Sequence, residues 1–549
     1  MHRIVTFVAG TLLGGGVIYA VNRPANKQQP AQPVQYAQPA QPVQPTQFDK
    51  RAVDETDNEF LKFGYPGPVS DFLLRSRYAV SYNRALRNPN WVAEHLTREN
   101  LQGTADRANS EFHEDPEIPQ TFRALLKDYY RSGYDRGHMC PAADAKKDTL
   151  SMNETFFLTN IAPQVGKGFN RNYWASLETF VRDLTKSFDD VYCISGPLYL
   201  PQKEGDKWMV KYEVIGNPPN VAVPTHFFKV ILAKRRNESG FAIGAFALPN
   251  KEIDNSVPLT NFSFPLEYVE KAAGLKFFEK IEPFTGWAIL ASSSAALVSI
   301  SQYPFDKNED NPLKYGNPGP ISDLLVRSRY TASYNRALRN PNWVAEHLTR
   351  ENLNGTADRT SADFKEDPEI PQPFRALLKD YYRSGYDRGH MCPAADAKKD
   401  EESMKETFLL SNIAPQTGVG FNRQYWAYLE SFVRDLTKAF DNVYCISGPL
   451  YLPHREGDKW VVTYEVIGDP PNVAVPTHFF KAILVQQNDN PVNGIGVFAL
   501  PNKAIDSSTP LVNFNTSLED VERASGLTLY EKIPRTQAVS LCKLISCKL

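Results

Sequence analysis

Two identical stretches carry residues able to do chemistry. The first runs Tyr134-Asp135-Arg136-Gly137-His138-Met139-Cys140-Pro141-Ala142-Ala143-Asp144, and the same residues return from Tyr386 to Asp396, with His390 in the place of His138. A histidine offers a proton acceptor, and an imidazole with an ordinary pKa near ~6.5 is neutral and basic around pH 7. Arg136 and Arg388 offer a fixed positive charge beside it, and Gly137 and Gly389 allow a tight backbone between the two groups. Cleavage of a phosphodiester calls for that pairing, a base for water and a cation for the charge that builds on the phosphoryl oxygens.

A second constellation follows each stretch. Thr159-Asn160-Ile161-Ala162-Pro163-Gln164 leads to Phe169-Asn170-Arg171, then Trp174 and Glu178; the second set has Ser411-Asn412-Ile413-Ala414-Pro415-Gln416, Asn422, Trp426 and Glu430. Asn170 falls at the start of a predicted helix, where asparagine is also a favoured N-cap. Glu178 lies about two turns on, within roughly 80° of the same face. Singly, these residues read as a cap and a solvated helix charge; joined to Asp-Arg-Gly-His upstream they form a site. Of the nine histidines, three pairs recur: His95/His347, His138/His390 and His226/His478. His226, in Val-Pro-Thr-His-Phe-Phe, reads as a satisfied strand histidine, and His95 as the end of a strand near the site. His138 alone sits between Arg-Gly and an exit through Pro141. Lys127, Arg131, Lys146 and Lys147 are candidates to line the path of a polyanion.

The elements that must position these residues come in duplicate. Residues from about 60 to 282 return at about 312 to 534 with a constant offset of 252; Arg123 to Asp148 is identical to Arg375 to Asp400, and Pro218 to Lys229 to Pro470 to Lys481. A unit above 200 residues is a duplicated domain, not a solenoid repeat. Within it Trp91 to Leu96, Val191 to Ile194, Val221 to Val223 and Phe227 to Leu232 predict strands. Tyr173 to Phe188 predicts a helix, with Trp174, Leu177, Val181, Leu184 and Phe188 on one face, matched by Trp426, Leu429, Val433, Leu436 and Phe440. Strands and helices do not alternate, which points to an α+β fold.

The 549 residues are too many for one core, and a net charge of -2 gives no global electrostatic case for binding a polyanion, so any such binding rests on local patches. Six cysteines without CxxC or Cys/His spacing argue against both a structural zinc and a disulfide framework, leaving only a tail pair, Cys542 and Cys547, open. Ile4 to Val21 is an apolar run flanked by Arg3 and Arg23, about the minimum for a membrane span and read as an uncleaved anchor in preference to a signal peptide. Pro24 to Gln47 is Pro/Gln/Ala-rich and reads as an extended tether. Thr285 to Ile300, apolar but short for a span, reads as a helix or strand packed on one domain. The expected organisation is a targeting segment at 1–22, a linker at 23–58, domains at 59–282 and 312–534 with a linker at 283–311 between them, and a tail at 535–549.

Taken together, these motifs resemble the DNA/RNA non-specific endonucleases of the ββα-metal (His-Me finger) type, the endonuclease G family, and among them the fungal mitochondrial nucleases. The resemblance covers both repeats nearly end to end, including Gly196-Pro197-Leu198-Tyr199-Leu200-Pro201 and Pro224-Thr225-His226-Phe227-Phe228-Lys229. It implies two tandem ββα-metal domains, each a mixed or antiparallel sheet with flanking helices. It implies that His138 and His390 are general bases, that Asn170 and Asn422 each hold a Mg²⁺ (with Mn²⁺ as a substitute), and that Glu178 and Glu430 hold a metal-bound water. Arg136 and Arg388 would steady phosphate charge, Asp135 and Asp387 orient the loop, and Asn160 and Asn412 position the site. The implied substrates are DNA and RNA. The implied location is the mitochondrial inner membrane, held through Ile4 to Val21 with the nuclease units in the intermembrane space; the alternative is the secretory pathway. Members with one unit per chain form homodimers, so two units here imply an intramolecular pseudo-dimer or a homo-oligomer.

Overall fold

A computed structural model describes residues 59–67, 71–235, 240–281, 311–319, 323–487 and 490–547. The expected anchor, the Pro/Gln tether and the apolar run Thr285 to Ile300 lie outside the described residues, among which no helix is long and apolar enough to cross a membrane.

The first repeat contains β1 (Asp71–Leu74), β2 (Tyr78–Asn83), β3 (Asn88–Leu96), β4 (Asp135–His138), β5 (Ile161–Gln164), β6 (Asp190–Leu198), β7 (Gln202–Glu204), β8 (Lys207–Ile215), β9 (Val221–Ala222), β10 (His226–Lys234) and β11 (Phe241–Pro249). Its helices are α1 (Leu126–Tyr129), α2 (Thr149–Glu154), α3 (Ala175–Leu184) and α4 (Leu266–Ala273). The second repeat has β12 (Asp323–Val326), β13 (Tyr330–Asn335), β14 (Asn340–Leu348), β15 (Asp387–His390), β16 (Ile413–Gln416), β17 (Asn442–Leu450), β18 (His454–Glu456), β19 (Lys459–Ile467), β20 (Val473–Ala474), β21 (His478–Gln487), β22 (Asn490–Pro501) and β23 (Ala538–Ser540). Its helices are α5 (Leu378–Tyr381), α6 (Glu401–Thr407), α7 (Ala427–Leu436), α8 (Leu518–Ser525) and α9 (Leu541–Leu544).

Each repeat is built on an antiparallel sheet, β1-β2-β3-β6-β10-β11 in the first and β12-β13-β14-β17-β21-β22 in the second, which β23 extends by one parallel strand. The architecture is α+β. The central strands are buried on both faces, so β10 reads His-Phe-Phe-Lys-Val-Ile-Leu-Ala-Lys with almost no polar alternation. One face carries Trp91, Ile194, Phe228 and Val230 against α4 and its trailing Phe277 and Phe278. The other carries Val80, Val92 and Phe227 against Phe169, Trp174 and Leu177, which are the apolar side of α3 and its lead-in. The chain enters α3 through a π-helical segment, Gly166–Trp174, kinked at Lys167 (ψ 136) and Gly168 (φ 79), so helical backbone already precedes the expected start at Tyr173, and α3 ends at Leu184, short of Phe188. The tail pair is bonded, Cys542 to Cys547, beside α9, whose Leu541 is buried on the edge of the second sheet.

The repeats join through a sheet of their own. β8 runs antiparallel to β19, giving the order β18-β19-β8-β7. The register is reciprocal: Val210 faces Tyr464, Tyr212 faces Val462, and at the midpoint Lys211 faces Thr463, its own counterpart. A local two-fold axis therefore passes through Lys211 and Thr463. Val210, Tyr212, Ala222 and their counterparts Val462, Tyr464, Ala474 bury a shared apolar cluster. Reciprocal loop contacts flank it. Arg87 donates to the carbonyl of Arg523 at 2.9 Å, and Arg339 to that of Lys271 at 2.9 Å. Gly274, which ends α4 in the left-handed region (φ 70), presses on the second repeat so closely that a Cβ would stand 2.6 Å from the Ala337 nitrogen; Gly526 (φ 73) does the same to Ala85.

Gly274→Ala is expected to cost more than Gly205→Ala, whose site is equally left-handed (φ 61) but has nothing within 4 Å of the added methyl. Both carry the backbone cost of about 1–2 kcal/mol, and the excess in denaturant unfolding reports the collision between repeats. Equal losses would mean that this contact is not tight.

Candidate active site

His138 ends β4, which pairs with β5 so that Asp135 faces Gln164, Arg136 faces Pro163, Gly137 faces Ala162 and His138 faces Ile161. The glycine is required by packing, since a Cβ on Gly137 would collide with the side chain of Gln164. The imidazole is 8% exposed and lies between Phe112 (centroids 5.4 Å apart) and Phe156 (5.0 Å, edge-on at 84°). Its Nε2 is buried with no hydrogen-bond partner. Burial, and secondarily the charge of Arg107, pushes its pKa down to about 3, well below the ordinary value on which the sequence reading rests. The ring is therefore neutral across the whole range in which a base is useful. His390 repeats this setting between Phe364 and Phe408, also with a pKa of about 3.

Arg136 is exposed, its guanidinium 4.3 Å from the Phe112 centroid, so one aromatic ring contacts both the base and the cation; Arg388 and Phe364 match it at 4.3 Å. Asp135, at the other end of β4, accepts from Arg171 Nε (2.7 Å) and Nη2 (2.6 Å) and from Asn170 Nδ2 (3.0 Å). These bonds, that of Arg171 foremost, hold its carboxyl below the usual range and keep it ionised. They also orient Asn170. With Nδ2 committed to Asp135, the Oδ1 oxygen is the free end of the amide. The N-cap reading of Asn170 does not hold, because its side chain serves Asp135 and the helix backbone receives no bond from it. Asp387 holds Asn422 and Arg423 at the same distances. Gly166 makes room for the clamp, since a Cβ there would lie 2.8 Å from Asp135 Oδ2.

Asn160 is wholly buried and takes no outward-facing role. It accepts from the Cys140 nitrogen (2.9 Å) and donates to the carbonyls of Cys140 (2.9 Å) and Thr155 (2.8 Å), locking the chain as it leaves His138; Asn412 does the same for Cys392 and Thr407. Glu178 sits in the first turn of α3. Burial raises its pKa to about 7, with Lys229 pulling the other way and Asp144 adding to the rise; Glu430 is likewise raised to about 7. Lys127, Arg131, Lys146 and Lys147 are all exposed. His95 belongs to the main sheet, stacked on Tyr192 at 4.3 Å with Nε2 3.0 Å from Asp190, and His226 Nδ1 lies 3.0 Å from Thr225 Oγ1.

Sequence reasoning missed what lies beneath. Lys229 is buried in β10, 2.7 Å from Ser195 Oγ and 4.9 Å from the Trp174 ring. Burial opposes its charge, but Cys193, Glu94, Glu178 and Asp144 outweigh this and raise its pKa. Glu94, buried beside Asp144, is driven up in turn, while Asp144 accepts from Arg182 at 2.9 Å. The signal was present, since a lone lysine in Phe-Phe-Lys-Val-Ile-Leu and a lone glutamate in Trp-Val-Ala-Glu-His-Leu are polar residues where the strands must be buried. The aromatic walls Phe112 and Phe156 had no such signal.

A hairpin bearing a histidine and an arginine, tied to an asparagine at the entrance to a helix and repeated in an α+β frame, is the arrangement of a tandem ββα nuclease fold. The chain belongs to the DNA/RNA non-specific endonuclease family, which residues 56–284 and 308–536 both match. It is 44% identical over 287 residues to the mitochondrial nuclease of Saccharomyces cerevisiae, covering 51% of this chain and 86% of that protein. It is 52% identical over 244 residues to a nuclease of Syncephalastrum racemosum (43% and 76%), and 45% identical over 224 residues to the human mitochondrial nuclease EXOG (40% and 60%). A chain of the solved EndoG/EndoGI complex is 46% identical, covers 41% of this chain and 91% of its own, and has a TM-score of 0.40.

At pH 5 an ordinary histidine is mostly protonated. His138 and His390 are expected to remain neutral there, because their folded pKa values are about 3. The same shift makes the fold acid-labile. Between about 6.5 and 3 the unfolded chain takes protons that these folded histidines refuse, so stability falls as pH is lowered through that window. Imidazole ¹⁵N shifts read the protonation state directly, and cationic rings at pH 5 would contradict the burial described.

Proposed function

We propose that each repeat is a Mg²⁺-dependent endonuclease that cuts DNA and RNA with little regard to sequence or sugar. The observation that carries this reading is the arrangement around Asp135 and Asp387, where one carboxylate joins a hairpin bearing a neutral histidine and an exposed arginine to an asparagine whose oxygen is left free. In this reading His138 Nδ1 accepts the proton of the attacking water, since Nε2 is enclosed by protein and without a polar partner. The neutral ring needs no prior deprotonation. Arg136, braced on Phe112, takes phosphate oxygen through its guanidinium donors, and such backbone contacts carry no sequence information.

The donor set suits a hard cation that keeps most of its waters. Among the described residues no three His, Cys, Asp or Glu side chains gather as a ligand group, so an all-protein cage is not on offer. Asn170 Oδ1 is the candidate protein ligand, and Glu178 the group that would hold a coordinated water from behind. Bound there, Mg²⁺ (or Mn²⁺) supplies positive charge against the charge developing on the phosphate and the leaving 3′ oxygen. His390, Arg388, Asn422 and Glu430 take the same roles in the second repeat, with Asp387 and Asn412 in support. Neither site lacks a member, so both are active.

His138→Ala and His390→Ala, assayed singly and together on plasmid DNA and on RNA with Mg²⁺, are expected to leave roughly half of the cutting in each single variant and to reduce the double variant by at least about 10²-fold. EDTA should abolish activity in all forms. A single variant that is already inert would contradict two working sites.

The names of the yeast and human relatives support a mitochondrial location. We place the chain at the inner membrane, held by Ile4 to Val21 with both repeats in the intermembrane space. Protease protection of intact and outer-membrane-ruptured mitochondria tests this, with digestion expected only after rupture; digestion of intact mitochondria, or co-fractionation with secretory membranes, would overturn it.

A further inference from the structure

The shared sheet reaches both active sites through one carboxylate on each side. Glu213 lies on β8 with its side chain 17% exposed, and its Oε2 accepts from two directions. Lys459 of the second repeat donates to it at 2.8 Å, and Tyr134 of the first donates to the same oxygen at 3.0 Å. Tyr134 immediately precedes Asp135, the clamp of the first site. The mirror arrangement is complete: Lys207 of the first repeat donates to Glu465 Oε2 at 2.7 Å, and Tyr386, next to Asp387, donates to that oxygen at 2.9 Å. Burial and the neighbouring carboxylate raise the pKa of both tyrosines, so each phenol keeps its proton and remains a donor.

The start of the hairpin is also held by the Asp135 clamp and by packing of the Tyr134 ring on Ala124, Tyr129, Leu158 and Ile161. The turn before Tyr134 passes through Arg131 (φ 54) and Gly133 (φ 86), with Ser132 Oγ accepting from the Tyr134 nitrogen at 3.2 Å and donating to the Tyr129 carbonyl at 3.0 Å. The phenol is the polar anchor of the Tyr134 side chain, and its acceptor is bonded by a lysine from the other half of the molecule. Without that lysine, Glu213 is a mostly buried carboxylate with one neutral donor, and turning out to water becomes its better option.

We propose that the two sites are braced crosswise: Lys459 is a positioning residue for the site of His138, acting through Glu213 and Tyr134, and Lys207 is a positioning residue for the site of His390, acting through Glu465 and Tyr386. This rests on the nuclease reading above and deepens it, because it gives the pairing of the repeats a role in the reaction. It also makes an unusual demand. Loss of either lysine weakens the interface alike, so a purely structural role would depress both sites together. A positioning role depresses only the site in the opposite repeat.

The test uses the full chain in two single-site forms, His390→Ala, which leaves the first site, and His138→Ala, which leaves the second. Lys459→Met is expected to lower kcat about tenfold in the His390→Ala form, part of the hundredfold that a ~1 Å misplacement costs, with little change in the His138→Ala form. Lys207→Met should give the reverse pattern, and Lys459→Arg should restore the first site. A readout free of activity is hydrogen exchange in otherwise unaltered protein. Lys459→Met should speed exchange over 135–138 and leave 387–390 as it was, followed in peptides that extend into Thr149-Leu150 or Glu401-Glu402, where the repeats differ. Equal effects on both sites, or none on either, would overturn the crosswise brace. Cutting that survives in the His138→Ala/His390→Ala double variant would instead overturn the two histidines as bases, and no cutting by the unaltered chain would overturn the nuclease reading; in either case the exchange data would still decide the brace.

Discussion

The carboxylate of Asp135 ties the hairpin that carries His138 and Arg136 to the helical turn that carries Asn170, and Asp387 does the same in the second repeat. Its bonds to Arg171 and Asn170 keep it ionised, and they settle which end of the Asn170 amide faces outward. Much of the surrounding sequence serves this junction. Gly166 leaves space for the carboxylate, Gly137 lets the two strands close over Gln164, and Gly168 (φ 79) kinks the helical lead-in that carries Phe169 and Trp174 onto the sheet. A site assembled this way needs few groups that are themselves strong ligands, because orientation is supplied by the neighbours.

Charge is managed differently on the two sides of that junction. Toward solvent, Arg136 lies open on an aromatic face. Beneath it, Lys229, Glu94, Asp144, Arg182 and Glu178 form a buried network in which acids outnumber bases and burial raises the carboxyls. Such a network costs more to desolvate than an apolar core of equal volume. Its place directly behind α3 and the main sheet ties that cost to holding Glu178 near its point of ionisation.

What was legible in the sequence was whatever repeats or alternates. The 252-residue offset exposed two domains, the 3,4 spacing of Trp174, Leu177 and Val181 marked the buried side of α3, and Asp135 and Asn170, singled out in separate repeated stretches, are bonded to each other. Contacts between segments far apart in the chain were not legible. Phe112 and Phe156 enclose His138 from opposite sides in sequence, and their burial of the ring is what moves its pKa from an ordinary value to about 3. Asn170 looked like a helix cap because its competing partner, Asp135, lies on a strand 35 residues earlier. Glu213 drew no reading from the sequence, since neither Tyr134 nor Lys459 is near it in the chain.

The midpoint of the shared sheet carries a consequence for how such a chain can change. On the axis, Lys211 faces Thr463 and reaches Glu456 at 2.6 Å, while the opposite side offers no matching lysine. First repeats from two chains would set ammonium against ammonium at that point, whereas each fused molecule already holds its complement at high effective concentration. The conflict is one-sided, since two second repeats would set only Thr463 against Thr463, so the two halves are not equivalent as partners.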